Sequence, residues 1–266
     1  MDLLDNITMP ITNKKIDKII DEVSKSQLDI ENPDVIELDK RNKLSNVYVI
    51  NNKYFVKIIT RRHVEIHRIL TILWNNSLIT IDNSRFFKSF KNPSEMIQHE
   101  SKMSERLQNA GIKTPKVIHF SEYYNCGVIV SEYLENPKQF KEVKDNNTKK
   151  FVKQLFMDLK LMQENNIPHG DLQQDNVLIS EGELYIIDVN NIDETNESYK
   201  YYDIASAIAT SSINMSEEDV ISIAKNTFSH KNIIKSKEFL DVITLQLGHD
   251  ANSRKLKNEI EKQLQC

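Results

Sequence analysis

Apolar residues recur at helical spacing over 12–26, where Ile16, Ile19, Ile20 and Val23 stand between Lys and Asp, and this predicts an amphipathic helix that packs by one face. From Val35 the texture shortens into β-prone runs at 35–38, 47–50 and 54–59. Asn51-Asn52 between the last two is a hairpin signal, so an antiparallel meander is expected. Helical periodicity returns over 63–76, through Val64, Ile66, Ile69, Leu70, Ile72, Leu73 and Trp74. It returns again over 94–109, where Gly111 stands at a C-cap position and Pro115 prevents continuation. Runs at 116–120 and 127–134 read as strands. After about Asn136 the chain turns helical, with Phe151, Leu155, Leu159 and Met162 marking one apolar face. Two short apolar runs, 176–179 and 184–187, flank Glu181-Gly182-Glu183 as a second small hairpin. Further helices are expected near 202–212, 216–228, 236–247 and 252–265, with Ser216 and Asp219 forming a start signal and Gly248 a C-cap. A sheet-rich part followed by a helix-rich part is an α+β pattern.

Composition narrows the class. A chain of 266 residues, 39% hydrophobic and 28% charged, has enough apolar surface to build a core without disulfides. Its two cysteines, Cys126 and Cys266, lie far apart with no metal-ligand spacing, which argues against a structural zinc and for a reducing compartment. The opening Met1-Asp2-Leu3-Leu4-Asp5 lacks the basic start of a secretory signal, and no apolar run reaches the ~18 residues of a membrane span. A cytoplasmic location is therefore expected. A formal charge of -4 predicts no nucleic-acid partner.

The stretch richest in chemistry is His169-Gly170-Asp171-Leu172-Gln173-Gln174-Asp175-Asn176, followed after the hairpin by Ile187-Asp188-Val189-Asn190. Taken singly, Asp and Asn in such a loop are ordinary turn residues. In this order they resemble the catalytic and metal-binding loops of the protein-kinase-like superfamily. The resemblance implies Mg²⁺ ligands at Asn176 and Asp188, a base or orienting group for the attacking hydroxyl at Asp171, and a scaffold role for His169. It also implies a strand lysine paired to a helix glutamate. Lys57, flanked by apolar residues, fits the first; Glu100 is chosen for the second over Glu95 and Glu105, with Glu105 the remaining competitor. The run from Glu100 through Ala110-Gly111-Ile112-Lys113-Thr114-Pro115 is similar to the helix exit of RIO-type and KEOPS-complex kinases. Val130-Ser131-Glu132-Tyr133-Leu134 resembles the adenine-binding hinge, with the Glu132 carbonyl and Leu134 amide as contacts and Ser131 as gatekeeper. Asp203 matches the helix-start aspartate that ties down the catalytic loop in aminoglycoside-phosphotransferase-like and lipopolysaccharide-kinase-like members.

The sequence also departs from that pattern. The loop 39–46 contains no glycine, so its amides and Ser45 would have to meet nucleotide phosphates without glycine's close approach. Gln173 stands where Ser/Thr protein kinases carry lysine. Only 15 positions separate Asp188 from Asp203, too few for a long activation segment. Residues 60–91 form an insertion in which Arg61, Arg62, Arg68, Arg85, Lys88 and Lys91 outnumber Glu65 and Asp82. It is expected to pack on the small lobe with its basic side solvated, or to contact a partner or membrane surface.

The resemblance thus implies a bilobal protein-kinase-like fold: a helical extension over 1–34, an antiparallel-sheet N-lobe over 35–134 carrying the insertion, and a mainly helical C-lobe over 135–266. The implied activity is transfer of the γ-phosphate of ATP, with Mg²⁺, to a hydroxyl. Protein Ser/Thr is the favoured acceptor; a small molecule, sugar or lipid head group is the alternative, and a pseudokinase scaffold or ATPase a second one.

Overall fold

A computed structural model describes residues 13–38, 45–82, 86–143, 147–245 and 251–264. The loop 39–44, Arg85 and the expected C-cap Gly248 lie outside the described residues. The chain divides into two compact units. The first comprises the described residues of Met1–Leu73, Ser89–Glu105 and Pro115–Glu135; the second those of Trp74–Lys88, Arg106–Thr114 and Asn136–Cys266.

The first unit holds a five-stranded antiparallel sheet in the order β1-β2-β3-β5-β4, built from β1 (Val35–Glu37), β2 (Asn46–Ile50), β3 (Tyr54–Ile59), β4 (Val117–Tyr123) and β5 (Cys126–Glu132). Asn51 and Asn52 both have positive φ, 52° and 51°, as the central residues of a turn closed by the Lys53 N–H on the Ile50 carbonyl, within a three-residue loop from Ile50 to Tyr54. That turn pairs Val49 with Phe55 and Val47 with Lys57. Helix α1 (Asn13–Gln27) buries Ile16, Ile19, Ile20 and Val23 against Tyr48, Ile50, Val56, Ile58, Val128 and Val130. Alternation along β3 sends Lys57 and Ile59 to the opposite face, where Ile59 and Ile129 pack with Val64, Phe90 and Ile97. Helix α3 (Pro93–Asn109) begins against β5, and Gly127 permits that approach. A Cβ there would lie 2.7 Å from the Pro93 carbonyl oxygen.

The second unit holds a three-stranded sheet, β6 (Lys138–Gln139), β7 (Val177–Ser180) and β8 (Glu183–Ile186). Around it lie α4 (Thr148–Glu164), α5 (Tyr199–Ser211), α6 (Glu217–Thr227), α7 (His230–Ser236), α8 (Leu240–Leu245) and α9 (Ser253–Leu264). Apolar residues cover most of α5, and it is buried almost throughout, as a core helix must be. None of the described helices is long and apolar enough to cross a membrane.

Two expectations are corrected. The helix expected over 236–247 is instead α7, a 3-10 turn at Lys237–Phe239, and α8. Ser229, whose Oγ accepts the Asn232 N–H, starts the first of these earlier than apolar spacing alone suggests. The insertion helix α2 (Arg61–Leu78) also turns the unexpected way. Its inward side carries Val64 and Leu78 with the polar row His63, His67, Thr71 and Asn75. Ile69, Ile72 and Leu73 stay 58%, 52% and 55% exposed. The polar row is satisfied locally: His63 Nδ1 accepts the Thr60 N–H, and Thr71 Oγ1 donates to the His67 carbonyl. Burial and neighbouring Arg62 push the His63 imidazole down to about 4, so it packs as a neutral ring.

Candidate active site

The first unit supplies a strand lysine. Lys57 lies in mid-sheet, paired across to Val47 on one side and Ile129 on the other. Such a position desolvates its ammonium unless an anion is near. The anion is Glu100 of α3, whose Oε2 accepts from Nζ at 3.0 Å. The side chains are 11% and 26% exposed, so water reaches the pair from one side. Glu95 is turned elsewhere, accepting the Lys91 N–H at the start of α3, and Glu105 is exposed.

At the end of β5, the Glu132 N–H donates to the Lys116 carbonyl and the Tyr133 N–H to the Lys53 carbonyl. The Leu134 N–H has no backbone partner among the described residues. Ser131 is half-buried on β5, and Ser45, at the head of β2, is only 1% exposed.

The second unit holds the loop that begins at His169. Asp203, fully buried in the second turn of α5, accepts the His169 N–H on one carboxylate oxygen and the Gly170 N–H on the other, each at 2.8 Å. Three and seven residues further along α5, Ser206 Oγ and Thr210 Oγ1 both donate to the Leu172 carbonyl. One polar row on an apolar helix thus fixes the loop at three points, His169, Gly170 and Leu172. Sequence reasoning missed Ser206 and Thr210. Their signal was the 203, 206, 210 spacing of polar residues within a stretch, 203–210, otherwise built of Ile and Ala. Gly170 has φ 77°, and a Cβ there would meet the Ile192 side chain at 2.5 Å, so the loop needs glycine both for its turn and for packing.

Within the loop the polar groups face one another. The His169 Nδ1 accepts the Asp171 N–H, which makes Nδ1 the unprotonated nitrogen. Burial pushes this imidazole down to about 4, against the opposing pull of the Asp188 carboxylate, so His169 is a neutral scaffold. Gln173 Nε2 donates to both oxygens of the Asp171 carboxylate at 3.1 Å. Asn176 Nδ2 donates to the Asp171 carbonyl and to Oδ2 at 3.0 Å. Although Asp171 is only half-buried by surface, desolvation and then the Asp188 carboxylate push its acid up to about 7, while the Gln173 and Asn176 donors oppose the rise. Burial likewise pushes Asp203 up to about 7 against the two N–H donors it receives.

The hairpin β7–β8 returns the chain to this loop. The Ile187 N–H donates to the Asn176 carbonyl and the Asn190 N–H to the His169 carbonyl, which sets Asp188 beside the loop. Asp188 is exposed and has φ 57°, a left-handed conformation rare for a non-glycine residue. Asp171, Asn176 and Asp188 are therefore neighbours. With its amide nitrogen committed to Asp171, Asn176 offers its Oδ1 as a hard oxygen, and Asp188 offers a carboxylate. No group of three or more His, Cys, Asp or Glu that could hold a metal occurs among the described residues. Two oxygen donors suit Mg²⁺, which keeps waters and takes phosphate oxygens for its remaining positions.

A family model described as RIO domain matches residues 46–200. No curated protein matches the sequence. Among solved structures the chain is similar to the PknI kinase domain of Mycobacterium tuberculosis, at TM-score 0.44 and 10% identity over 87% of this chain and 95% of that one. It is also similar to vaccinia related kinase 3, at TM-score 0.43 and 11% identity over 88% and 87%.

Proposed function

Because this chain belongs to the RIO-domain family of atypical, protein-kinase-like proteins, we propose that it transfers the γ-phosphate of ATP to a hydroxyl, with protein Ser/Thr as the favoured acceptor. The observation that carries this reading is the neighbourhood of Asp171, Asn176 and Asp188. Ionised Asp171 accepts the proton of the attacking hydroxyl. Gln173 and Asn176 fix its carboxylate, and an acid near 7 is matched to base work at neutral pH. Asn176 Oδ1 and the Asp188 carboxylate hold Mg²⁺, which when bound supplies positive charge to the nucleotide phosphates. Lys57, oriented by Glu100, contacts phosphate oxygens, and the Glu132 carbonyl and Leu134 N–H receive the adenine edge. Ser45, buried at the head of β2, contributes to phosphate binding from the end of the glycine-free loop.

A small-molecule hydroxyl is the second reading, and one observation favours it. Residues 190–193, the segment just after the metal motif, already have a strand partner in Phe87, which leaves less free edge for a peptide. Labelled ATP incubated with the purified chain and separate protein and metabolite pools decides between acceptors. Label confined to small molecules ends the protein-kinase reading. Asp188→Ala should lower transfer by about a thousandfold or more, and turnover unaffected by that change would leave only a scaffold or ATPase unrelated to this site.

A further inference from the structure

Residues 86–88, late in the insertion, are tied down by hydrogen bonds. Asn75, near the end of α2, accepts the Phe86 and Phe87 N–H groups on Oδ1 at 3.0 and 2.8 Å and donates Nδ2 to the Phe87 carbonyl at 2.9 Å. One amide thus sets the backbone of both residues. So placed, Phe87 forms an antiparallel bridge with Ile192, the Lys88 N–H donates to the Asn191 carbonyl at 2.7 Å, and the Asp193 N–H donates to the Phe86 carbonyl at 2.9 Å. Lys88 Nζ also pairs with the Asp193 carboxylate at 3.1 Å.

What this bridge grips is next to the proposed chemistry. Ile192 packs on Gly170, and Asn190 donates its N–H to the His169 carbonyl, so residues 190–193 touch the loop that carries Asp171 and continue directly from Asp188. The two aromatic rings meet the same loop from its other support. Phe86 and Phe87 are fully buried, with ring centroids 5.0 and 5.7 Å from that of Tyr202, the residue before Asp203. Phe239 closes the cluster at 6.0 Å from Tyr202.

We propose that residues 86–88 are an internal strap that holds the segment after Asp188 in one conformation, making Asn75 and Phe87 positioning residues for Asp171 and Asp188. A short post-metal segment has little chain of its own with which to order itself, and here the order is supplied from a stretch about a hundred residues earlier in the sequence. The strap rests on the functional reading above only for its catalytic consequence; its mechanical part stands separately.

The test is Asn75→Ala in the full chain, read by hydrogen exchange and by kinetics. Amides of residues 188–193 should exchange about tenfold faster, with α6 and α9 unchanged, because the bonds lost are local. In the same protein kcat should fall about a hundredfold with metal-free ATP affinity unchanged, the pattern of misplaced groups rather than lost binding. Asn75→Asp keeps the acceptor for both N–H groups and should give intermediate values in both readouts. Uniformly faster exchange, unchanged exchange in 188–193, or faster exchange there with wild-type kcat would overturn the proposal. Should Asn75→Ala not fold, Asn75→Asp decides alone: faster exchange confined to the segment supports the strap and wild-type exchange refutes it. A wild-type protein that transfers no phosphate would remove the proposed reaction, while the exchange result would still report on the strap.

Discussion

Lys57 and Asp203 are both ionisable side chains placed among apolar neighbours, and the two units support them in opposite ways. Lys57 has a carboxylate at 3.0 Å with water on one side, an arrangement that a side-chain rotation can open. Asp203 has no such freedom. It is sealed in α5, each oxygen satisfied by a backbone N–H, and Ser206 and Thr210 hold the same loop beside it. An ion pair with water beside it contributes little to folding and can change partner when a phosphate arrives. A buried acceptor of two amides is part of the fold, and its loss orphans both donors. The pairing of the strand lysine is adjustable; the support of the loop that begins at His169 is not.

The sharpest way to break that contrast is Asp203→Ala, expected to lower unfolding free energy by about 2–5 kcal/mol because two buried N–H groups lose their acceptor. Urea denaturation measures this, and a loss under about 1 kcal/mol would mean the loop holds itself. Asp158 of α4 then separates burial from partner count. It is buried with one side-chain donor, Gln154 at 2.7 Å, and burial pushes it up to about 6. Between about pH 4 and 6 the folded protein keeps a proton that the unfolded chain has released, so this group's contribution falls as pH rises through that window. Asp158→Asn should therefore gain over wild type with rising pH, on the order of 3 kcal/mol by neutrality, and a gap that does not change with pH would refute the assignment. Smallest in stability is Glu100→Gln, expected to move the unfolding midpoint by a degree or two while lowering kcat/KM for ATP by about 10–100-fold. If it destabilised the chain as much as Asp203→Ala, the two supports would not differ in kind.

Much of this was legible beforehand where a periodic or chemical signal was long enough. Asn51-Asn52 announces its hairpin, and the choice of Glu100 among three glutamates is met by its contact with Lys57. The loop from His169 to Asn176 and the return of Asp188 to it follow from motif order and one hairpin. The strap was not legible. A three-residue bridge carries no periodicity, and nothing local in Phe86-Phe87-Lys88 names Ile192 as its partner. Nor was the orientation of α2, where the apolar stripe implied burial. His63, His67, Thr71 and Asn75 occupy the inward row instead, because each finds a local hydrogen bond or ring contact there. β6, two residues long, is below the length at which alternation means anything.

The backbone at Asp188 carries a conformational cost of its own. With φ at 57° it sits where glycine or asparagine is at ease, and an aspartate there adds strain on the order of 1 kcal/mol. On the reading proposed above, a descendant relieved of turnover would be free to relax at 188 while still obliged to retain 203. Drift between these two aspartates, followed across living relatives, would date the moment at which such a lineage stopped being an enzyme.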